Sequence, residues 1–378
     1  MQNIALFGST GSIGKSTLDV TAALKDDFRV IAISGHRGLA CLQAQAWEFR
    51  PRRVIATDEA AAKDFSWNLP PGTELRIGSE FLEEEAQSPE TEIVVSAIVG
   101  RAGLESTVAA VRAGKRVALA NKESLVIGGG LVTRLAKETH AQIIPVDSEH
   151  SAVFQALSAG RREELSRIIL TASGGPFRTL PDSELQNVTP EDAMRHPTWD
   201  MGMKVTLDSA TLMNKALEII EARWLFDLRQ DEISVMIHPQ SVVHSLVEFC
   251  DGSVIAQMSP PDMRLPIQYA LTYPKRLPGG PAKRMDWTRD FALEFFAPDY
   301  SLPRYEALCL GLQVSHAGGT AGAVLNAANE VAVEAFCRGK LRFDEIVPFV
   351  RETFARQPFS AEPSLEELIA VDELVRRS

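Results

Sequence analysis

Asp147 and Glu149 stand two residues apart, directly after the apolar run "AQIIPV" (141–146). Neighbouring carboxylates repel unless something positive lies between them, and a hard divalent cation such as Mg²⁺ or Mn²⁺ takes oxygen ligands of this kind. An extended segment would turn both side chains to one side. The alternative is the first turn of a helix, where acids are common without any metal. A second polar concentration is "VTLDSATLMNKALEIIEARWLF" (205–226). Asp208 or Ser209 is a candidate cap for the helix that follows. On that helix Asn214 and Glu218 are four apart and Lys215 and Glu218 three apart, so the three occupy neighbouring faces. Hydroxyl, amide and ammonium donors close together suit a phosphate, and Glu218 would be a third acid for a metal. An ordinary Lys–Glu pair on a solvated face is the competing reading. Between the two blocks, in "TPEDAMRHPTWDMGM" (189–203), His196-Pro197, Trp199 and Gly202 interrupt any helix begun at Thr189. Trp199 is either packed or part of a lid.

The opening "IALFGSTGSIGKSTLDV" runs from four apolar residues into Gly8, Gly11 and Gly14. A strand, a glycine turn and a helix starting near Ser12–Lys15 let a pyrophosphate approach the backbone and meet the free N–H groups of a helix N-terminus. The spacing is G-x-x-G-x-x-G rather than G-x-G-x-x-G, so a plain tight turn remains the alternative. At the next strand end, "VIAISGHRG", the acid that bonds the ribose of NAD is missing. Gly35, His36 and Arg37 stand there, and a cationic pair suits the extra phosphate of NADP. Ser173-Gly174-Gly175 and "NKES" (121–124) also follow apolar runs. In open α/β sheets ligands bind beyond the carboxyl ends of the strands, so all these clusters could converge on one crevice.

The elements that must position these residues are legible. Ile4–Phe7, Arg29–Ile33, Arg53–Thr57, Ile93–Ala97 and Val117–Ala120 are β-branched runs alternating with helical stretches, the pattern of a parallel sheet buried on both faces. "AQIIPV" and "RIILTA" (167–172) are similar runs. After residue 230 the texture turns antiparallel, with Asp251-Gly252 as a two-residue hairpin turn. The Pro- and Gly-rich "YPKRLPGGPAKR" (273–284) opens a linker, and from about 300 the pattern is helical, with Ser364 and Glu367 forming a capping box. The fold class is therefore α/β: an N-terminal Rossmann-like parallel sheet, a central α/β catalytic domain with an antiparallel portion, and a C-terminal helical bundle.

Bulk properties set the frame. At 378 residues the chain is too long for one core. A net charge of −11 argues against nucleic acid or anionic membrane as partner. Cys41, Cys250, Cys309 and Cys337 are scattered, which speaks against zinc ribbons and disulfide scaffolds and for a reducing compartment. No charged-then-apolar leader is read before Ile4 and no apolar run approaches the roughly 20 residues of a membrane span, so a cytoplasmic protein is expected.

Eight blocks, in order along nearly the whole chain, together resemble one family: "GSTGSIGKSTLDV", "ALANKESLV", "PVDSEHSA", "TASGGPF", "HPTWDMG", "LDSATLMNKALE", "IHPQSVVHS" and "LNAANEVAV". That family is 1-deoxy-D-xylulose 5-phosphate reductoisomerase. No position of functional weight departs from its pattern. Met203 and Arg37 sit where the family varies, Arg37 in a place often held by Asn. The resemblance implies conversion of 1-deoxy-D-xylulose 5-phosphate to 2-C-methyl-D-erythritol 4-phosphate in the non-mevalonate isoprenoid pathway, with NADPH, a divalent metal (Mg²⁺, Mn²⁺ or Co²⁺) and a homodimer. On the family's usual account the skeleton rearranges by retro-aldol cleavage and re-addition, and the resulting aldehyde takes the hydride.

Carried over by motif, Thr10, Gly11, Ser12, Ile13, Gly35, His36, Arg37, Asn121, Glu123 and Gly202 would hold NADPH. Asp147, Glu149 and Glu218 would hold the metal, and Ser173, Ser209, Asn214 and Lys215 the phosphate. Lys122, Ser148 and His196 would line the substrate, with Trp199 in a lid. The implied division is an NADPH-binding domain (1–145), a catalytic and dimerisation domain (146–275), a linker (276–300) and a helical domain (301–378). On the residues alone, a metal-free NADPH-dependent reductase and a non-catalytic NADP sensor remain rivals.

Overall fold

The structure, a computed structural model, describes residues 1–194 and 202–377. The chain divides into two compact units, the first made of residues 1–124, 132–151 and 262–283, the second of 125–131, 152–261 and 284–378.

The first unit holds a seven-stranded parallel sheet. Its strands are β1 (Gln2–Phe7), β2 (Phe28–Gly35), β3 (Arg53–Ala56), β4 (Glu74–Ile77), β5 (Ile93–Ser96), β6 (Arg116–Leu119) and β7 (Gln142–Pro145), in the order β4-β3-β2-β1-β5-β6-β7. Ile4 to Phe7 are 0% exposed, as a continuous apolar run requires when both faces of its sheet are covered. The strand order reverses between β1 and β5, which pair from Ile4–Ile93 to Phe7–Ser96. A crevice for a ligand opens at such a switch point. The sequence reading passes over β4. Its "ELRI" is short, half polar and only partly buried at the sheet edge, so it carries no apolar run to notice. Late in the chain the helix Arg264–Thr272 returns to this unit, packing on the helix Ser12–Ala23.

The second unit is built on β8 (Leu165–Ala172), β9 (Ile233–Ile237), β10 (Val243–Phe249) and β11 (Val254–Met258), ordered β11-β10-β8-β9. "RIILTA" is thus not a further strand of the first sheet; it lies in β8, between β10 and β9. The antiparallel expectation holds for β10 with β8 and with β11, joined by a turn in which Gly252 has φ +84. It fails for β9, which runs parallel to β8. The connection from β8 to β9 includes the helices Pro190–Ala193, Met203–Ala210 and Met213–Leu225, enough chain to cross over and re-enter in the same direction.

Four helices follow: Glu306–Ala317, Ala321–Cys337, Ile346–Arg356 and Leu365–Arg377. The last begins with the expected box, Ser364 N–H donating to Glu367 at 2.7 Å and Glu367 N–H to Ser364 Oγ at 3.2 Å. Helix 306–317 lies against helix 213–225. At their closest approach a Cβ on Gly311 would stand 2.7 Å from Ala216 Cα, so glycine there sets how near the two helices come. Helix 213–225 carries Asn214, Lys215 and Glu218. The described helices include none long and apolar enough to cross a membrane.

Candidate active site

In the first unit the three glycines of the opening turn serve different ends. Gly8 has φ +86, and a Cβ on it would lie 2.5 Å from Ala97 O, beyond β5. A Cβ on Gly14 would run into Gly8 O and the Ser9 backbone. Gly11 has neither restriction: its φ is −75 and its Cβ would meet only Gly8 O, at 3.5 Å. Gly11 is also the N-cap of helix 12–23, with no side-chain cap over the first turn. The turn is held from behind, with Gly8 N–H donating to Ser34 Oγ at 3.0 Å and Ser9 Oγ to Gln45 Oε1 at 2.7 Å. An uncapped helix start on a rigid glycine turn is an anion cradle.

Thr10 packs against the second turn, its Cγ2 lying 3.1 Å from the place of a Gly35 Cβ. Thr10 and Gly35–Arg37 are therefore neighbours. His36 Nδ1 meets Thr57 Oγ1 at 3.1 Å. Asp58 lies 3.9 Å from His36 Nε2 and 4.0 Å from Arg37 Nε. The Arg37 side chain is 87% exposed and only loosely engaged. No acid ends β2, yet Asp58 after β3 reaches the same place. Sequence reading missed it, although "TDEAA" carries a cap signal, and Asp58 does accept from Ala61 N–H at 3.1 Å.

Asn121 caps the helix Lys122–Thr139 by accepting from Ser124 N–H at 3.1 Å. Its amide donates to Ile98 O at 2.6 Å, Gly100 O at 2.9 Å and Glu123 Oε2 at 3.0 Å. This ties "NKES" to the loop after β5, beside the glycine turn. Lys122 pairs with Asp147, both largely buried. Ser148 N–H donates to Asp147 Oδ1 at 3.0 Å, and Ser148 Oγ donates to Glu149. The extended reading of the Asp147–Glu149 pair is corrected here. Helix Ser148–Ala156 starts immediately after Asp147 and Glu149 lies in its first turn, so the acids also complement a helix dipole.

In the second unit, Ser173 follows β8 and its Oγ accepts from Gly175 N–H at 3.2 Å. Gly175 has φ +71, and its Cβ would stand 2.7 Å from Ser209 O. The 173–175 loop therefore lies directly on the last turn of helix 203–210. Neither Asp208 nor Ser209 caps the next helix, because both lie inside helix 203–210. Helix 213–225 instead begins after Leu212, at φ +61, without a side-chain cap. Positive φ at Leu212 folds the chain back sharply and sets Asn214 and Lys215 on the first turn. Lys215 and Glu218 form an ion pair with side chains 4% and 1% exposed, and Asn214 donates to Glu218. The solvated-face reading of this pair fails, since both side chains are almost wholly buried. Gly202 is the N-cap of helix 203–210. His196 and Trp199, and with them the lid expectation, lie outside the described residues.

Comparison with known proteins covers the whole chain. Family-level matches fall on residues 4–129 (1-deoxy-D-xylulose 5-phosphate reductoisomerase), 143–226 (its C-terminal domain) and 258–378 (DXP reductoisomerase C-terminal domain). A 1-deoxy-D-xylulose 5-phosphate reductoisomerase of Pelotomaculum thermopropionicum is 50% identical over 379 aligned residues, covering 100% of this chain and 97% of the relative. That of Protochlamydia amoebophila is 47% identical over 376, with the same coverage. A crystal structure of DOX-P reductoisomerase in complex with NADPH, fosmidomycin and magnesium superposes with a TM-score of 0.92 at 40% identity, covering 100% of this chain and 97% of that one. The Zymomonas mobilis enzyme in complex with NADPH gives 0.90 at 41%, with the same coverage. The chain belongs to the 1-deoxy-D-xylulose 5-phosphate reductoisomerase family.

Proposed function

We infer that this chain converts 1-deoxy-D-xylulose 5-phosphate to 2-C-methyl-D-erythritol 4-phosphate, an NADPH- and divalent-metal-dependent rearrangement and reduction in non-mevalonate isoprenoid synthesis. The observation that carries this is identity of 47–50% with named reductoisomerases along the full length, joined to an uncapped glycine turn at the switch point of the first sheet.

The donor chemistry fits both cofactors. Gly11 leaves the start of helix 12–23 open to a pyrophosphate, and Arg37 offers an exposed cation for a 2′-phosphate. We assign NADPH to Thr10, Gly11, Ser12, Ile13, Gly35, His36, Arg37, Asn121, Glu123 and Gly202. Asp147, Glu149 and Glu218 offer only carboxylate oxygens, the set a hard cation takes. Lys122 beside Asp147 and Lys215 beside Glu218 place an ammonium group next to two of these acids. When bound, the metal supplies Lewis-acid stabilisation of developing oxyanion charge, and NADPH supplies the hydride.

The chain's own residues orient and shield. Ser173, Ser209, Asn214 and Lys215 hold the phosphate, and that remote binding energy keeps the reacting carbons aligned while the skeleton is broken and rejoined. Lys122, Ser148 and His196 line the carbon chain, where the Lys122 ammonium can donate to a developing oxyanion. Trp199 belongs to the covering segment in this assignment. The division into 1–145, 146–275, 276–300 and 301–378, a homodimeric assembly and a cytoplasmic location belong to the same proposal.

The test is NADPH oxidation by the purified chain with the deoxyxylulose phosphate, with and without Mg²⁺. Oxidation matched by methylerythritol phosphate and abolished by EDTA is expected. Activity that survives chelation would sink the metal assignment and favour a semialdehyde-type reductase. Light scattering at twice the mass of one chain is the check on the dimer.

A further inference from the structure

The block "LNAANEVAV" (325–333) has no part in the site assigned above, yet it lies buried in helix 321–337. Asn329 is 0% exposed, and its amide donates to Asp208 Oδ1 at 2.8 Å. Asp208 is 1% exposed, and its other oxygen accepts from Lys204 Nζ at 2.7 Å. Asn329 Oδ1 is itself buried without a hydrogen-bond partner among the described residues. Its orientation is forced, because a flipped amide would set two oxygens against each other. A buried unpaired carbonyl oxygen destabilises the fold, and an apolar side chain would avoid it. The amide is therefore present for its donor, and that donor serves Asp208.

Asp208 immediately precedes Ser209, in the last turn of helix 203–210. The same turn meets the Gly175 backbone on one side and leads through Leu212 to Asn214 and Lys215 on the other. Holding Asp208 at both oxygens fixes the rotation of this turn, and with it where the Ser209 hydroxyl points. We propose that Asn329 is a positioning residue for the phosphate grip, locking Asp208 so that Ser209 and the Leu212 turn present their donors together. This rests on the assignment of Ser173, Ser209, Asn214 and Lys215 to the phosphate.

The test is steady-state kinetics on the full-length enzyme with NADPH and Mg²⁺. Asn329→Leu should raise KM for the sugar phosphate about tenfold or more, the scale of one misplaced hydrogen bond to a charged group, while KM for NADPH stays within about twofold. A merely structural loss would lower the folded fraction, and so apparent kcat, and leave both KM values alone. Asn329→Asp, which sets two carboxylates against each other, should be at least as impaired. Adding Asp208→Asn to it restores one amide and one carboxylate with roles exchanged, and should bring KM back to within about threefold of wild type, since one hydrogen bond is remade. A folded Asn329→Leu with unchanged sugar-phosphate KM overturns the proposal. Should Asn329→Leu not fold, the exchanged pair decides: recovery supports it, and a KM still as high as in Asn329→Asp, or failure of the pair to fold, overturns it. Lys215→Ala separates the two layers. If it leaves the sugar-phosphate KM unchanged, the phosphate assignment fails; if it raises KM where Asn329→Leu does not, only the positioning role fails.

Discussion

Gly11→Ala isolates what the opening glycine turn is for. The fold does not need glycine at this position: φ −75 and ψ 175 suit any residue, and the new methyl would meet only Gly8 O, at 3.5 Å. Replacing glycine by alanine at a compatible position stabilises by about 0.4–1 kcal/mol through the unfolded chain. Alanine is a poorer N-cap than glycine, by roughly 0.5–1 kcal/mol. The two nearly cancel, so urea denaturation should place the variant within about 1 kcal/mol of wild type. NADPH affinity should behave otherwise. The methyl stands at the exposed mouth of an uncapped helix, where a pyrophosphate must come close to the backbone N–H groups. Losing one hydrogen bond to a charged phosphate is worth about 1.5–3 kcal/mol, or roughly 10- to 150-fold in Kd. Calorimetric titration with NADPH measures this directly. A folded variant whose Kd stays within about twofold of wild type would refute the close approach. A stability loss above about 2 kcal/mol would show instead that the fold itself demands the glycine.

Gly14→Ala should behave in the opposite way, because its methyl collides with Gly8 O and Ser9 backbone; a loss of about 1–3 kcal/mol or more in urea denaturation is expected, and unchanged stability would contradict the packing. Arg37→Asp should weaken NADPH by about 1–3 kcal/mol and NADH much less, since it also sets a second acid beside Asp58; equal losses for both cofactors in titration would show that Arg37 does not read the 2′-phosphate. Asp147→Asn and Glu218→Gln should lower turnover severely while NADPH affinity changes less than about twofold. Near wild-type turnover of both variants at limiting Mg²⁺ would remove these acids from the metal.

Much of this protein follows from local sequence. Continuous apolar runs mark β1, β2, β3, β5 and β6 because a strand covered on both faces tolerates few polar residues, and "IIPV" marks the edge strand β7; period and turn chemistry are local properties. The glycine turn, the Asp251-Gly252 hairpin and the Ser364 box are likewise set by residues a few positions apart. β4 escapes because its four residues, ELRI, are half polar and none is fully buried, so no apolar run marks it. The eight blocks carry the family resemblance, which needs no fold to be read because each is a short run of residue types in a fixed order.

Tertiary structure decided the rest, because it depends on which distant segments meet. Only pairing shows that 167–172 belongs to a second sheet, between β10 and a parallel β9. Only Leu212 at positive φ, which no propensity foretells for leucine, removes Asp208 from a capping role and hands it to Asn329, 121 residues away. Asp58 joins His36 and Arg37 because β3 lies beside β2. Lys215 and Glu218 form a spacing that suits any solvated helix face; only the folded structure shows the pair buried, at 4% and 1% exposure, where an ion pair is no longer screened by water. Of the three opening glycines, identical in sequence, packing against Ala97 and Gly8 accounts for two and leaves Gly11 open for a ligand.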